Sequence, residues 1–143
     1  MKNQTRPVTL LLVDDDELDV MGIERALAKL KIKNPLVKAH DGIVALEHLR
    51  GENGREKIEG PVLILLDLNM PRMNGIEFLD EIRGDPLLRK MIVFMLTTSS
   101  ADEDKVKAYN HNVAGYIVKA DPANSIRDAI SLVDSYWTIV EFP

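Results

Sequence analysis

The chain has no cysteine, so neither a disulfide nor a thiolate metal site is open to it. It has no apolar run near the ~20 residues that a membrane-crossing helix needs. Its first residues, Met1 to Pro7, are polar and short, without a signal-peptide pattern. It has no run of lysine or arginine, and its net charge is −5. Binding to a phosphate backbone rests on basic clusters, so nucleic acid is not expected as a direct partner. Membrane contact is not expected either, and a cytoplasmic location is. The glycine-rich P-loop, the GxGxxG fingerprint, the HExxH helix and the GxSxG elbow are missing as well. His40, His48 and His111 are scattered, no two at metal-ligand spacing, and are expected at the surface.

What is present is a rhythm. With 143 residues, 45% apolar and 29% charged, the chain suits one domain with a packed core. Val8–Val13 is continuous and apolar, the pattern of a strand buried on both faces. Asp16 or its neighbour can cap a helix running to about Lys31, with Val20, Ile23, Leu27 and Leu30 at helical spacing. Asn34-Pro35 breaks it, and Leu36–His40 reads as a short second strand. Asp41-Gly42 opens a helix carrying Ala45, Leu46 and Leu49. Gly51 to Gly60 reads as a long exposed loop. Val62–Leu66 is a third strand, and Asn74 can cap a helix with Ile76, Leu79 and Ile82 inward, ending near Gly84-Asp85-Pro86. Met91–Leu96 is a fourth strand, Asp102 to His111 a helix with Val106 and Tyr109 inward, and Gly115–Val118 a fifth strand. A last helix runs from about Pro122 to near Trp137. Five βα units demand a parallel sheet with helices on both faces. The expected fold is thus α/β, a doubly wound five-stranded sheet of strand order 2-1-3-4-5, flavodoxin-like, with a core over about 8–137 and a tail over 138–143.

That order puts the ends of the first and third strands at the crevice where such sheets bind ligands. The first apolar run ends in Asp14-Asp15-Asp16, the third in Asp67, and the fifth in Lys119. Crowded carboxylates repel unless some protonate or a cation joins them. Two carboxylates and a backbone carbonyl, that of Asn69, leave room around Mg²⁺ for water and a phosphoryl oxygen. Three acids in a row could merely cap a helix; Asp67 at the neighbouring strand end tips the balance to metal. Asp67 can be a ligand or a nucleophile, since carboxylates form acyl phosphates. Lys119 could be a snorkelling surface residue, but three acids on its edge favour pairing with Asp67 or a phosphoryl oxygen. Thr97 ends the fourth strand and can donate to the phosphoryl group, while one of Thr97, Thr98, Ser99 and Ser100 caps the next helix.

Val13-Asp14-Asp15, Asp67 with Met70-Pro71 and Gly75, Thr97, and Tyr116-Ile117-Val118-Lys119 together resemble the receiver domain of two-component response regulators. The resemblance implies that Asp67 accepts a phosphoryl group from a histidine kinase. It implies that Asp14 and Asp15 hold Mg²⁺, with Asp15 the direct ligand, and that the Asn69 carbonyl completes the protein ligands. Thr97 and Lys119 would bind phosphoryl oxygens, and Tyr116 is similar to the aromatic residue that changes rotamer as Thr97 moves, although ordinary strand packing would also account for it. The loop before the third strand and the tail Tyr136 to Pro143 resemble small regulators paired with bacterial phytochrome-type kinases, and imply a single-domain regulator with no output domain.

One departure stands out. Receivers usually carry proline directly after the lysine, in a cis bond; here Ala120 follows Lys119 and the proline is Pro122. A cis bond before a non-proline residue costs about 2.5–4 kcal/mol, so the bond is either trans or strained. The last helix also has apolar residues to spare. Ile126, Ala129, Ile130, Val133 and Trp137 make one stripe, with Leu132, Tyr136, Ile139, Val140 and Phe142 beyond it. That surplus predicts a homodimer through the helix and tail, against the alternative of a tail folded onto its own domain. Two other functions compete with this one. A Mg²⁺-dependent acyl-phosphate phosphatase would use the same nucleophile but needs a second Asp two residues on, where this chain has Asn69. An unphosphorylated interaction module would lack the acceptor, the acid pair or the lysine.

Overall fold

The computed structural model describes residues 8–98, 100–109 and 112–134. Five strands, β1 Thr9–Val13, β2 Leu36–Ala39, β3 Val62–Asp67, β4 Ile92–Thr97 and β5 Gly115–Val118, alternate with five helices. The helices are α1 Glu17–Lys29, α2 Gly42–Arg50, α3 Gly75–Gly84, α4 Ser100–Tyr109 and α5 Pro122–Asp134. The sheet is parallel throughout, in the order β2-β1-β3-β4-β5. The expected architecture is the observed one.

Alternation along the strands builds two cores. Leu11 and Val13 of β1, with Ile64 and Leu66 of β3, pack under α2, α3 and α4. Leu10 and Leu12, with Leu63 and Leu65, pack under α1 and α5. Strands buried on both faces need apolar side chains between their ends, which is why β1, β3 and β4 read as near-continuous apolar runs. The β1–β3 register pairs Val13 with Leu66, so Asp14 and Asp67 emerge side by side.

Helix starts are fixed by their caps. Asp16 accepts hydrogen bonds from the Leu18 and Asp19 amides, and Asp41 from the Val44 amide. Asn74 and Glu77 form a reciprocal capping box at α3. Several boundaries shift. Helix α1 ends at Lys29 because Lys31 takes the left-handed region. Strand β2 stops at Ala39, and β3 includes Asp67, whose backbone still pairs with Leu96. Strand β4 is displaced by one residue to Ile92–Thr97, and α4 begins at Ser100, two residues earlier than Asp102. There Asp102 accepts from both the amide and the hydroxyl of Thr98, so part of the capping runs from helix to loop. Ser99, one of the four candidate caps, the side-chain packing of Tyr109, and the end of the last helix near Trp137 lie outside what the structure describes.

The loop from Gly51 to Gly60 is mostly exposed, as expected, but Ile58 tucks against the core and Glu47 ties the loop down through Asn53 and Arg55. Among the described residues no helix is long and apolar enough to cross a membrane.

Candidate functional site

The carboxyl-terminal edge of the sheet gathers the charges. Asp14 follows β1, held in line by its amide donating to the Ala39 carbonyl at 3.0 Å. It is 3% exposed, and its Oδ1 accepts from the Asp16 amide. Asp15 is exposed, and Asp67, at the end of β3, is 7% exposed. One carboxylate oxygen from each of Asp14, Asp15 and Asp67 lies within 4.8 Å of the other two.

Lys119 leaves the end of β5, its amide donating to the Thr97 carbonyl. Its ammonium meets three carboxylates: Asp19 at 2.6 Å, Asp67 at 2.8 Å and Asp14 at 3.2 Å. The contact with Asp14 is an ion pair without well-directed hydrogen-bond geometry, which leaves Asp14 Oδ2 buried and unsatisfied.

These surroundings move the acids upward. Burial pushes the Asp14 carboxyl to about 6, with the neighbouring Asp67 charge adding to the effect and Lys119 opposing it. Burial likewise raises Asp67, while its bond to Lys119 pulls the other way. Burial works against the charge on Lys119, yet its bonds to Asp19 and Asp67 hold its proton more firmly than on a free lysine. An oxygen-only donor set, an orphaned buried carboxylate oxygen and acids above their usual range form a pocket short of positive charge. A hard divalent cation fits that pocket.

The remaining predicted residues lie around this cluster. Thr97, almost fully buried, ends β4 next to Asp67's strand, in register with Val118. Asn69 is exposed in the β3–α3 loop, two residues past Asp67. Tyr116 is half-buried against the core, with the Lys107 ammonium 5.8 Å from its ring centroid. Gly75 closes the loop against the site: a Cβ there would stand 2.5 Å from the Asp67 carbonyl oxygen, so only glycine fits. The described residues contain no cis peptide bond, so Lys119–Ala120 is trans and the strained alternative falls away. His40 is exposed, as expected; His48 is half-buried rather than open to solvent; His111 lies outside the described residues.

Two partners escaped the sequence reading. Asp19 provides the shortest contact of Lys119. The signal for it was its place one helical turn after Asp15 on an element starting at the crevice. Asp41, seen only as a helix start, also accepts from Arg72 at 2.7 Å and ties the β3–α3 loop to the start of α2. Arg72 takes the left-handed region at φ 64°, a conformation that gave no sign in the sequence.

The model of the family described as "Response regulator receiver domain" matches residues 10–131. Among curated relatives, "Response regulator Rcp1" of Synechocystis sp. is 32% identical over 131 residues, spanning 92% of this chain and 89% of that protein. A solved structure of Rcp1 is described as its Mn(2+)-bound form; it has a TM-score of 0.71 at 32% identity, with 96% and 99% of the two chains covered. The bacteriophytochrome response regulator AtBRR superposes with a TM-score of 0.82 at 32% identity, over 92% of this chain and 96% of that one. The phosphorylated cyanobacterial phytochrome response regulator RcpA gives 0.73 at 32% identity, over 96% and 99%.

Proposed function

The chain belongs to the response regulator receiver family, and we propose that it acts there as a phosphoacceptor switch in which Asp67 carries the phosphoryl group. The observation that carries this reading is the convergence of the Asp14, Asp15 and Asp67 carboxylates within 4.8 Å, with the Lys119 ammonium 2.8 Å from Asp67. The donor is a histidine kinase, of the phytochrome kind by similarity to the bacteriophytochrome regulators and RcpA. An Asp67 carboxylate oxygen attacks phosphorus, the P–N bond of the phosphohistidine breaks, and the imidazole leaves with the electron pair. Positioning and charge neutralisation are what such a transfer asks of a protein.

Asp14, Asp15, Asp67 and the Asn69 carbonyl would hold the cation, with Asp15 in direct contact and Mg²⁺ the physiological ion. Bound there, Mg²⁺ neutralises phosphoryl oxygens. Lys119 pairs with a phosphoryl oxygen in place of part of its contact with Asp67. Thr97 donates its hydroxyl to another, and Tyr116 follows Thr97 inward. The chemistry is limited to gain and loss of one phosphoryl group, so the protein signals rather than turns over a substrate, in the cytoplasm. Residues about 8–137 form the receiver unit. The homodimer through the last helix and the tail at 138–143 rests on their surplus of apolar residues; Ile126 and Ala129 are buried in the domain's own core, and the side chains of the others lie outside the described residues. Sedimentation of a chain truncated at Ser135 tests it; association equal to that of the full chain removes the tail from the interface.

Acetyl phosphate with Mg²⁺ tests the central reading. A stable acyl phosphate, absent in Asp67→Asn, is expected. Rapid multiple turnover would make the protein a phosphatase, and no reaction would leave an interaction module.

A further inference from the structure

Three carboxylates contact the Lys119 ammonium, and they do not share it equally. Asp14, Asp15 and Asp67 converge on one another, while Asp19 is outside that group and faces Lys119 from the first turn of α1. The contacts of Lys119 lengthen from Asp19 at 2.6 Å through Asp67 at 2.8 Å to Asp14 at 3.2 Å. A lysine seated fully between Asp14 and Asp67 would neutralise two of the three acids that face the pocket. It would then compete with a cation for the same oxygens. The carboxylate of Asp19, itself 30% exposed, meets the ammonium from α1 and takes its shortest bond. Asp14 Oδ2 is left without a hydrogen bond as a result.

We propose that Asp19 is a positioning residue that draws Lys119 away from Asp14, keeping the Asp14 Oδ2 oxygen available to a divalent cation. The idea rests on the cation reading above and adds to it a residue that is not a ligand. Without Asp19 the ammonium settles onto Asp14 and Asp67, and a cation must displace it.

Isothermal titration of Mg²⁺ into the unphosphorylated protein tests this. Asp19→Asn is expected to weaken binding on the order of three- to tenfold, the scale of one unit charge acting across about 4 Å with the screening of bulk water. Asp19→Glu should recover most of the loss. In a Lys119→Met background, Asp19→Asn should change affinity by less than about twofold, because the effect passes through the lysine. A urea midpoint for each variant shows that it is folded. Unchanged affinity in Asp19→Asn overturns the proposal. So does an equal loss in both backgrounds, which would mean that Asp19 acts by its own charge. A parent protein that binds no Mg²⁺ brings down the cation reading and this proposal together, whereas a parent that binds and a variant that matches it brings down only this one.

Discussion

Asp14 and Asp41 are both almost completely buried, 3% and 1% exposed, and both sit just past the end of a strand, β1 and β2 respectively. Their chemistry diverges. Burial alone would push both carboxyls up. At Asp41 the Arg72 guanidinium at 2.7 Å and the Val44 amide more than offset burial and hold the acid below the usual carboxylate range. At Asp14 a single backbone amide and a third share of Lys119 do not, and the acid stays near 6. Asp41 has every partner it needs and serves structure: it caps α2 and ties down the β3–α3 loop. Asp14 is left short, and a group kept short of partners at a crevice is where a ligand is to be sought.

The comparison can be broken or sharpened by substitution. Gly75→Ala strikes the backbone that joins the two regions, since the new Cβ would meet the Asp67 carbonyl at 2.5 Å and Leu68 Cα at 2.9 Å. A loss of roughly 2–4 kcal/mol by urea denaturation is expected from such overpacking against backbone, together with weakened Mg²⁺ binding. Asp41→Ala removes a cap and a charge-assisted hydrogen bond and should cost about 2–3 kcal/mol by the same measurement. A loss no larger than that of an exposed side chain would show that Asp41 is not the structural acid described.

Asp14→Asn should move stability the other way. The folded carboxyl titrates near 6 against 3.8 in the unfolded chain. The unfolded chain therefore ionises first, and the penalty on the folded state is absent below about 3.8, grows as pH rises and is complete above 6. The Asn variant is thus expected to be more stable than the parent by roughly 1–3 kcal/mol at pH 7.5 without metal. The advantage should fade as pH drops through 6 toward 4. Arg72→Ala should produce the smallest effect, a lowered urea midpoint short of that of Asp41→Ala, because the guanidinium is half-exposed and water replaces part of what it gives.

The parts of this arrangement that the sequence disclosed have a common cause. Strands β1 and β3, buried on both faces, carry apolar side chains almost throughout, so their ends are marked by the first charge, Asp14 after Val13 and Asp67 after Leu66; the shorter edge strand β5 is marked in the same way by Lys119 after Val118. The parallel order then follows from the βα rhythm, and the crevice from the order. Asp19 was hidden because an acid in a first helical turn is commonplace, and its partner is 100 residues away in the chain. Arg72 was hidden because its role depends on a left-handed backbone in a loop. The start of α4 lies two residues before the expected one because its first turn, Ser100 to Asp102, has only the small Ala101 as an apolar marker.

Diffraction at the manganese edge from crystals soaked in Mn²⁺ tests the central claim most directly. The account predicts one strong anomalous peak among Asp14, Asp15 and Asp67, bonded to the carboxylates of Asp15 and Asp67 and to the carbonyl of Asn69, and lost in Asp15→Asn. A protein saturated with Mn²⁺ whose peak lies elsewhere, or is absent, would contradict it.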